Sequence, residues 1–172
     1  RAKKGGLSAP FMSIYIPSNK TIPEAQALAD SLIEMVKYIA AGNPDYFEIA
    51  KSPKEVSETF KKGKIALPMG MENGSPIGQI SDIKKYREKG ISYITLTHAK
   101  DNQISDSSYD TTKTWHGLSP FGITVIQEMQ KQGIMIDVSH ISDEAFYQVI
   151  ANAKVPVIAS HSSCRKFTPG WE

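Results

Sequence analysis

Along the chain, short apolar runs alternate with longer segments whose apolar positions recur every three or four residues. "LSAPFMSIYIP" (7–17) is of the first kind and predicts a strand. "TIPE" (21–24) then has the Ser/Thr-x-x-Glu form of a capping box, with Pro23 in the first turn. Ala25, Leu28, Ala29, Leu32, Ile33, Val36 and Ile39 follow at helical spacing, and Gly42 ends the run. "SPKE" (52–55) opens a shorter helix through Phe60, closed by Gly63. A strand is predicted over 64–72 ("KIALPMGME"), a helix from Ser81 to Lys89 stopped by Gly90, and a strand over 91–98 ("ISYITLTH"). After a polar loop of about twenty residues, Ser119-Pro120 starts a helix with Phe121, Val125 and Met129 on one face, stopped by Gly133. A strand over 134–140 ("IMIDVSH"), a helix from Ser142 to Ile150 and a strand over 155–161 ("VPVIASH") complete the series.

Apolar strands alternating with amphipathic helices predict an α/β fold with a parallel sheet covered by helices. The pattern alone fits both an open doubly wound sheet and a (β/α)8 barrel. At 172 residues the length allows one domain or a piece of a larger one, without repeats at a fixed period or low-complexity tracts. The 40% hydrophobic and 22% charged composition is enough to bury a core. A net charge of +2, with lysines spread along the chain, gives no electrostatic case for nucleic acid or an anionic membrane. No apolar stretch reaches the length of a membrane-spanning helix. Cys164 is alone, which excludes an internal disulfide. Both ends read as cut, at "RAKKGG" and at "TPGWE", so a fragment or processed piece is expected.

The candidate chemistry gathers at the strand ends. Glu72, His98, His140 and His161 sit at the C-terminal tips of successive predicted strands, the edge where parallel α/β folds build their sites. Imidazoles with a carboxylate suit zinc or a similar divalent metal, and a carboxylate can bridge two metals. His116, in a polar loop, reads as structural. Asp137, inside its strand and one position out of phase with Ser-His, supports either a ligand or a purely structural hydrogen bond. Asp101, Asp106 and Asp110 read as solvated or loop-stabilising, in a loop long enough to shape substrate access. Nothing around Cys164 marks an activated thiolate.

"GMENG" (70–74), "YITLTH" (93–98), "GLSPFG" (117–122), "GIMIDVSHIS" (133–142) and "PVIASHSS" (156–163), in that order, resemble the membrane dipeptidase (renal dipeptidase) family of zinc peptidases. "GLSAPFMSIYIP" is similar to the family's early strand, and the resemblance covers essentially the whole chain. It implies a (β/α)8 TIM-type barrel of the metal-dependent hydrolase kind, present here as a partial barrel: one domain over 1–172, central in a larger whole, with about five of the eight strands. It implies a binuclear zinc centre hydrolysing dipeptides. Glu72 would bridge the two zincs, His140 and His161 would complete the ligands of one, and His98 would be the catalytic residue that hydrogen-bonds the scissile carbonyl as it becomes an oxyanion. The other zinc of the family also takes a His-x-Asp pair, and the chain contains none. The family's arginine for the substrate carboxylate, in an Arg-Asn pair, and a later aspartate for proton transfer are expected beyond Glu172. Arg165 is too near His161 for that role, and the piece alone is expected to be inactive.

Two other readings stay open at this point. One is another metal-dependent hydrolase on the same barrel, a lactonase or a phosphoesterase. The other is a non-catalytic truncated relative serving as a binding or assembly module. The expected partner is a small dipeptide, with a homodimer left open. The resemblance suggests an extracytoplasmic setting, periplasmic or membrane-anchored, with the cytoplasm as the alternative.

Overall fold

The structure is a computed structural model that describes residues 1–168. The end of the "TPGWE" segment, read above as a cut terminus, lies outside the described residues. Among those residues the order is β1 (Met12–Tyr15), α1 (Ile22–Gly42), β2 (Phe47–Ile49), α2 (Pro53–Lys61), β3 (Ile65–Leu67), β4 (Met69–Glu72), α3 (Ser81–Lys89), β5 (Ile91–Thr95), α4 (Pro120–Gln132), β6 (Met135–Asp137) and α5 (Asp143–Asn152). β1, β4, β5 and β6 lie side by side in one sheet and β2 pairs with β3 in a second. Every one of these pairings is parallel, as the alternation of strand and helix requires.

The helices start where their capping chemistry says they should. The Glu24 carboxylate accepts from the Thr21 N–H at 2.9 Å, and Ser52, Ser119 and Ser142 each accept from a backbone N–H three residues on. Such caps each stabilise a helix by about 1 kcal/mol. Gly90 and Gly133 end α3 and α4 in the left-handed region, at φ 110° and 68°. α1 packs on β1, α3 on β5 and α4 on β6. Between sheet and helices lies an apolar core that includes Ile14, Ile33, Met71, Ile83, Ile94, Val125 and Ile136. Each fully buried isoleucine contributes roughly 1.5–3 kcal/mol through removal of apolar surface from water. The opposite face of the sheet leaves Ser13 and Tyr15 of β1 exposed, and that face carries the candidate chemistry.

Four expectations change. The strand over 64–72 is two strands, because Pro68 lacks an N–H and interrupts the ladder. Ile65–Leu67 pairs with β2 and Met69–Glu72 with β1 and β5. β2 is a strand where the sequence pattern predicted none. The expected strand over 155–161 reduces to a single bridge, Asp137 to Ile158, held by Val138 N–H to Ile158 O and Ile158 N–H to Ile136 O. β1 is likewise shorter than 7–17. The four-stranded sheet is parallel throughout, and Ile158 extends it beyond β6 by one further parallel bridge.

Candidate metal centre

One row of the sheet organises the site. Tyr15, Glu72, Thr95, Asp137 and Ile158 are successive register partners across the strands. Glu72 lies in that row. His98, His140 and His161 each lie three residues beyond it, in the loops that follow Thr95, Asp137 and Ile158. The histidines therefore stand just past the strands rather than at their last residues, and they stand level with one another because the register is level. Chain reversal after β6 puts His140 itself at φ 69°, a left-handed conformation that costs a non-glycine residue about 1–3 kcal/mol and is found where function fixes the geometry.

All four predicted site residues meet. Glu72 Oε1 lies 3.5 Å from His98 Nε2, 3.6 Å from His140 Nε2 and 3.4 Å from His161 Nε2. The ligand atoms of Glu72, His140 and His161 all fall within 4.8 Å of one another, and His98 stands outside that triad. His140 Nε2 and His161 Nε2 are 2.7 Å apart. Two lone pairs repel at that distance, so the pair requires a shared proton or a cation that both face. The other carboxylate oxygen, Glu72 Oε2, accepts from Ser13 Oγ at 2.9 Å. Glu72 thus turns one oxygen to the histidines and the other toward β1. Burial and the neighbouring His98 and His161 imidazoles hold the His140 pKa below its ordinary value, against the opposing pull of Glu72 and Asp137. Its neutral, ligand-competent form is favoured. The donor set of two imidazoles and a carboxylate fits zinc or a comparably borderline divalent ion.

The surroundings fix these groups. Asn73, at φ 82°, donates to Ile16 O and accepts from Ser75 N–H and from Asn102 Nδ2, so the turn after Glu72 is locked. His98 stacks edge-on to Tyr15 and lies against His140, and its Nδ1 is buried without a partner among the described residues. The Tyr109 ring stands beside His140. Asp137 is fully buried under the histidines and accepts from Thr95 Oγ1, from the Ser139 and Ser160 N–H groups and from both serine hydroxyls. A cleft of about 400 Å³ opens next to the triad, walled by Ser108, His140, Phe146, Tyr147, His161 and Arg165.

The residues set aside in the sequence do other work. His116, at φ 50°, shapes the long loop. Asp106 is buried rather than solvated and accepts from Trp115 and Gly117 N–H. Asp101 and Asp110 also stabilise the loop, accepting from Ser107 and Thr114 and from Thr112 respectively. Arg165 forms a two-point pair with Asp143 at 2.6 and 2.8 Å. Cys164 is exposed and unpaired to any thiol. Sequence reasoning missed Ser13, Thr95 and Ser160; the signal for Ser160 was the recurrence of Ser-His itself.

The parallel strands thus carry two histidines and a carboxylate at their C-terminal side, a cluster whose donors could hold a divalent metal. The family model described as "Membrane dipeptidase (Peptidase family M19)" matches residues 1–170, and the chain belongs to that family. Among curated relatives, Dipeptidase verJ of Clonostachys rogersoniana is 33% identical over 98% of this chain and 46% of its own length. Dipeptidase tcpJ of Claviceps purpurea is 31% identical over 98% and 42%. The chain thus spans less than half the length of these relatives. Among solved structures, the probable dipeptidase PvdM from Pseudomonas aeruginosa superposes with a TM-score of 0.88 at 28% identity, over 96% of this chain and 45% of that one. A metallo peptidase from Rhodobacter sphaeroides, liganded with a phosphinate mimic of the dipeptide L-Ala-D-Ala, shares the fold with a TM-score of 0.87 at 19% identity, over 96% and 55%.

Proposed function

We propose that the protein is a zinc-dependent dipeptidase in which Glu72, His140 and His161 would hold one metal and Glu72 would be shared with a second. The observation that carries this reading is the convergence of three Nε2 atoms on Glu72 Oε1. The membership in a dipeptidase family supports the substrate class. The opposed oxygens of Glu72, one toward the histidines and one at Ser13, support its bridging role. Bound there, zinc would supply Lewis acidity and lower the pKa of water near neutrality.

The chain's own groups have separate tasks. Neutral His140 and His161 offer nitrogen donors without adding charge. Glu72 would offset part of the charge of the cation. His98 Nε2 faces Glu72 Oε1, which can only accept, so the Nε2–H tautomer is favoured on His98. With Glu72 engaged by the metal, that N–H would donate to the scissile carbonyl as negative charge develops on it, and donors of this kind lower a barrier by about 3 kcal/mol. The adjoining cleft of about 400 Å³ is of the size that small-ligand sites commonly have.

The test is metal content and hydrolysis together. In a chain of the relatives' full length, His140→Ala and His161→Ala should each lose most bound zinc and reduce dipeptide turnover by roughly 10³-fold or more. His98→Ala should keep its zinc and lose ~10²–10³ in kcat. Normal turnover and zinc in both ligand variants would sink the assignment. A panel of dipeptides, lactones and phosphoesters separates this reading from another hydrolase on the same barrel.

A further inference from the structure

Beneath the metal-facing side of His161 lies a chain of hydrogen bonds whose direction is determined. Asp137 Oδ2 accepts the Ser160 Oγ proton at 2.6 Å and that of Thr95 Oγ1 at 2.5 Å. Asp137 Oδ1 accepts from the Ser160 N–H at 2.9 Å, from the Ser139 N–H at 3.2 Å and from Ser139 Oγ at 3.0 Å. A serine hydroxyl has one proton, and Asp137 holds that of Ser160. Ser139 Oγ, 3.4 Å away, receives no proton from Ser160 either, and the contact of Ser160 Oγ with His161 Nδ1 at 2.7 Å must therefore run the other way, with Nδ1–H as donor. Protonation at Nδ1 leaves Nε2 as the lone-pair atom, and Nε2 is the atom turned to Glu72 and His140. His161 is also the most exposed of the three imidazoles at Glu72, and it follows a single bridge rather than a full strand. It has the most to gain from an outside anchor.

We propose that Asp137, acting through Ser160, is a positioning group that fixes the tautomer and aim of His161 for metal binding. The inference rests on the metal-centre reading above, and its first readout does not depend on it. A metal-bound imidazole usually passes its second N–H to a carboxylate or carbonyl; here a serine stands between the ring and a fully buried carboxylate. The arrangement explains why "IDVSH" carries an acid where an apolar residue would pack, and why a serine precedes His161. Ser139 performs a related task on the backbone, since its Oγ gives its proton to Asp137 and accepts the His161 N–H at 3.2 Å.

The experiment uses the full chain with 15N-labelled histidine, stripped of metal by chelation, and then zinc titration against a competing chelator. In the unsubstituted protein, His161 should show the Nδ1–H signature. Ser160→Ala should lose that single-tautomer signature and weaken zinc binding about 10- to 100-fold, with far-ultraviolet dichroism unchanged. Ser160→Thr, which keeps the hydroxyl, should restore both. Asp137→Asn tests the direction of the chain: an amide N–H facing Ser160 turns that hydroxyl toward His161 Nδ1 and drives the ring to Nε2–H. An Nε2–H tautomer in the unsubstituted protein, or a Ser160→Ala variant with unaltered tautomer and affinity, overturns the proposal. An Nδ1–H signature in a protein that binds no zinc overturns the metal reading and leaves the tautomer control standing.

Discussion

Tyr86 is the largest fully enclosed side chain of the core, and its hydroxyl has no hydrogen-bond partner among the described residues. Burial raises its pKa well above the usual phenol value, and the nearby Asp30 and Asp82 carboxylates push the same way. The sign of the consequence follows from proton counting. Below pH ~10 folded and unfolded chains both keep the proton. Above it the unfolded chain loses the proton while the folded one retains it, so stability falls as pH rises through ~10. Tyr86→Phe should remove that alkaline slope and hold or raise stability at neutral pH by up to ~1 kcal/mol, because an unpaired buried hydroxyl is lost. Urea unfolding near pH 7 and again above pH ~10 measures both effects; a variant weakened by more than ~1 kcal/mol at neutral pH contradicts the unpaired hydroxyl. At this scale the chemistry of the site was legible and its support was not. Glu72, His98, His140 and His161 are unusual residues for the ends of apolar strands, and that anomaly found them. Ser13 and Thr95 look like ordinary strand residues, and their roles arise from neighbours 59 and 42 positions away. Only the folded register could reveal them.

Among elements, α4 shows how local sequence and tertiary contact divide the labour. Its start was readable because Ser119 caps Gly122 N–H at 2.8 Å and Pro120 needs no amide partner. Its depth against the long loop was not readable. A Cβ on Gly122 would sit 2.1 Å from the Ile104 carbonyl oxygen, which also accepts the Ser119 N–H at 2.9 Å. Gly122→Ala should therefore cost about 2–3 kcal/mol by forcing helix and loop apart. Gly42, the last residue of α1, meets nothing within 4 Å, and Gly42→Ala should be neutral or gain up to ~1 kcal/mol. Thermal or urea unfolding of the two variants side by side checks the contrast; equal effects would remove the close-approach explanation. The same division accounts for the strand errors. Pro68 was visible, but its effect depends on which neighbour each half of 64–72 finds. β2 spans three residues with half-buried side chains, too few to establish a period of two. The 155–161 run is apolar enough for a strand, yet only Ile158 has a ladder partner among the described residues.

Across the whole molecule, these differences make a gradient of stability that the site straddles. β4 and β5 have hydrogen-bonded strands on both sides, and Met71 and Ile94 are fully buried. Glu72 and His98 follow from that centre. His161 hangs from one bridge at the far side, in a stretch from 159 onward that is largely exposed. Native-state hydrogen exchange should show the slowest amides in Met69–Glu72 and Ile91–Thr95, since opening them requires breaking two ladders. Amides around 158–163 should open locally at far lower cost. A metal gripping Glu72, His140 and His161 would join the weak side of this gradient to the strong one. Because such an ion binds the closed arrangement and not the locally open one, zinc at ~100 times its dissociation constant should raise the opening free energy of 158–163 by about 2.7 kcal/mol. Amides of β4, already limited by deeper unfolding, should change much less under conditions where exchange is local. Uniform protection across the sheet, or no gain at 158–163 despite bound zinc, would mean that His161 is not among the atoms holding the ion. The measurement needs no substrate, so it tests the placement of the ligand separately from the chemistry proposed for the site.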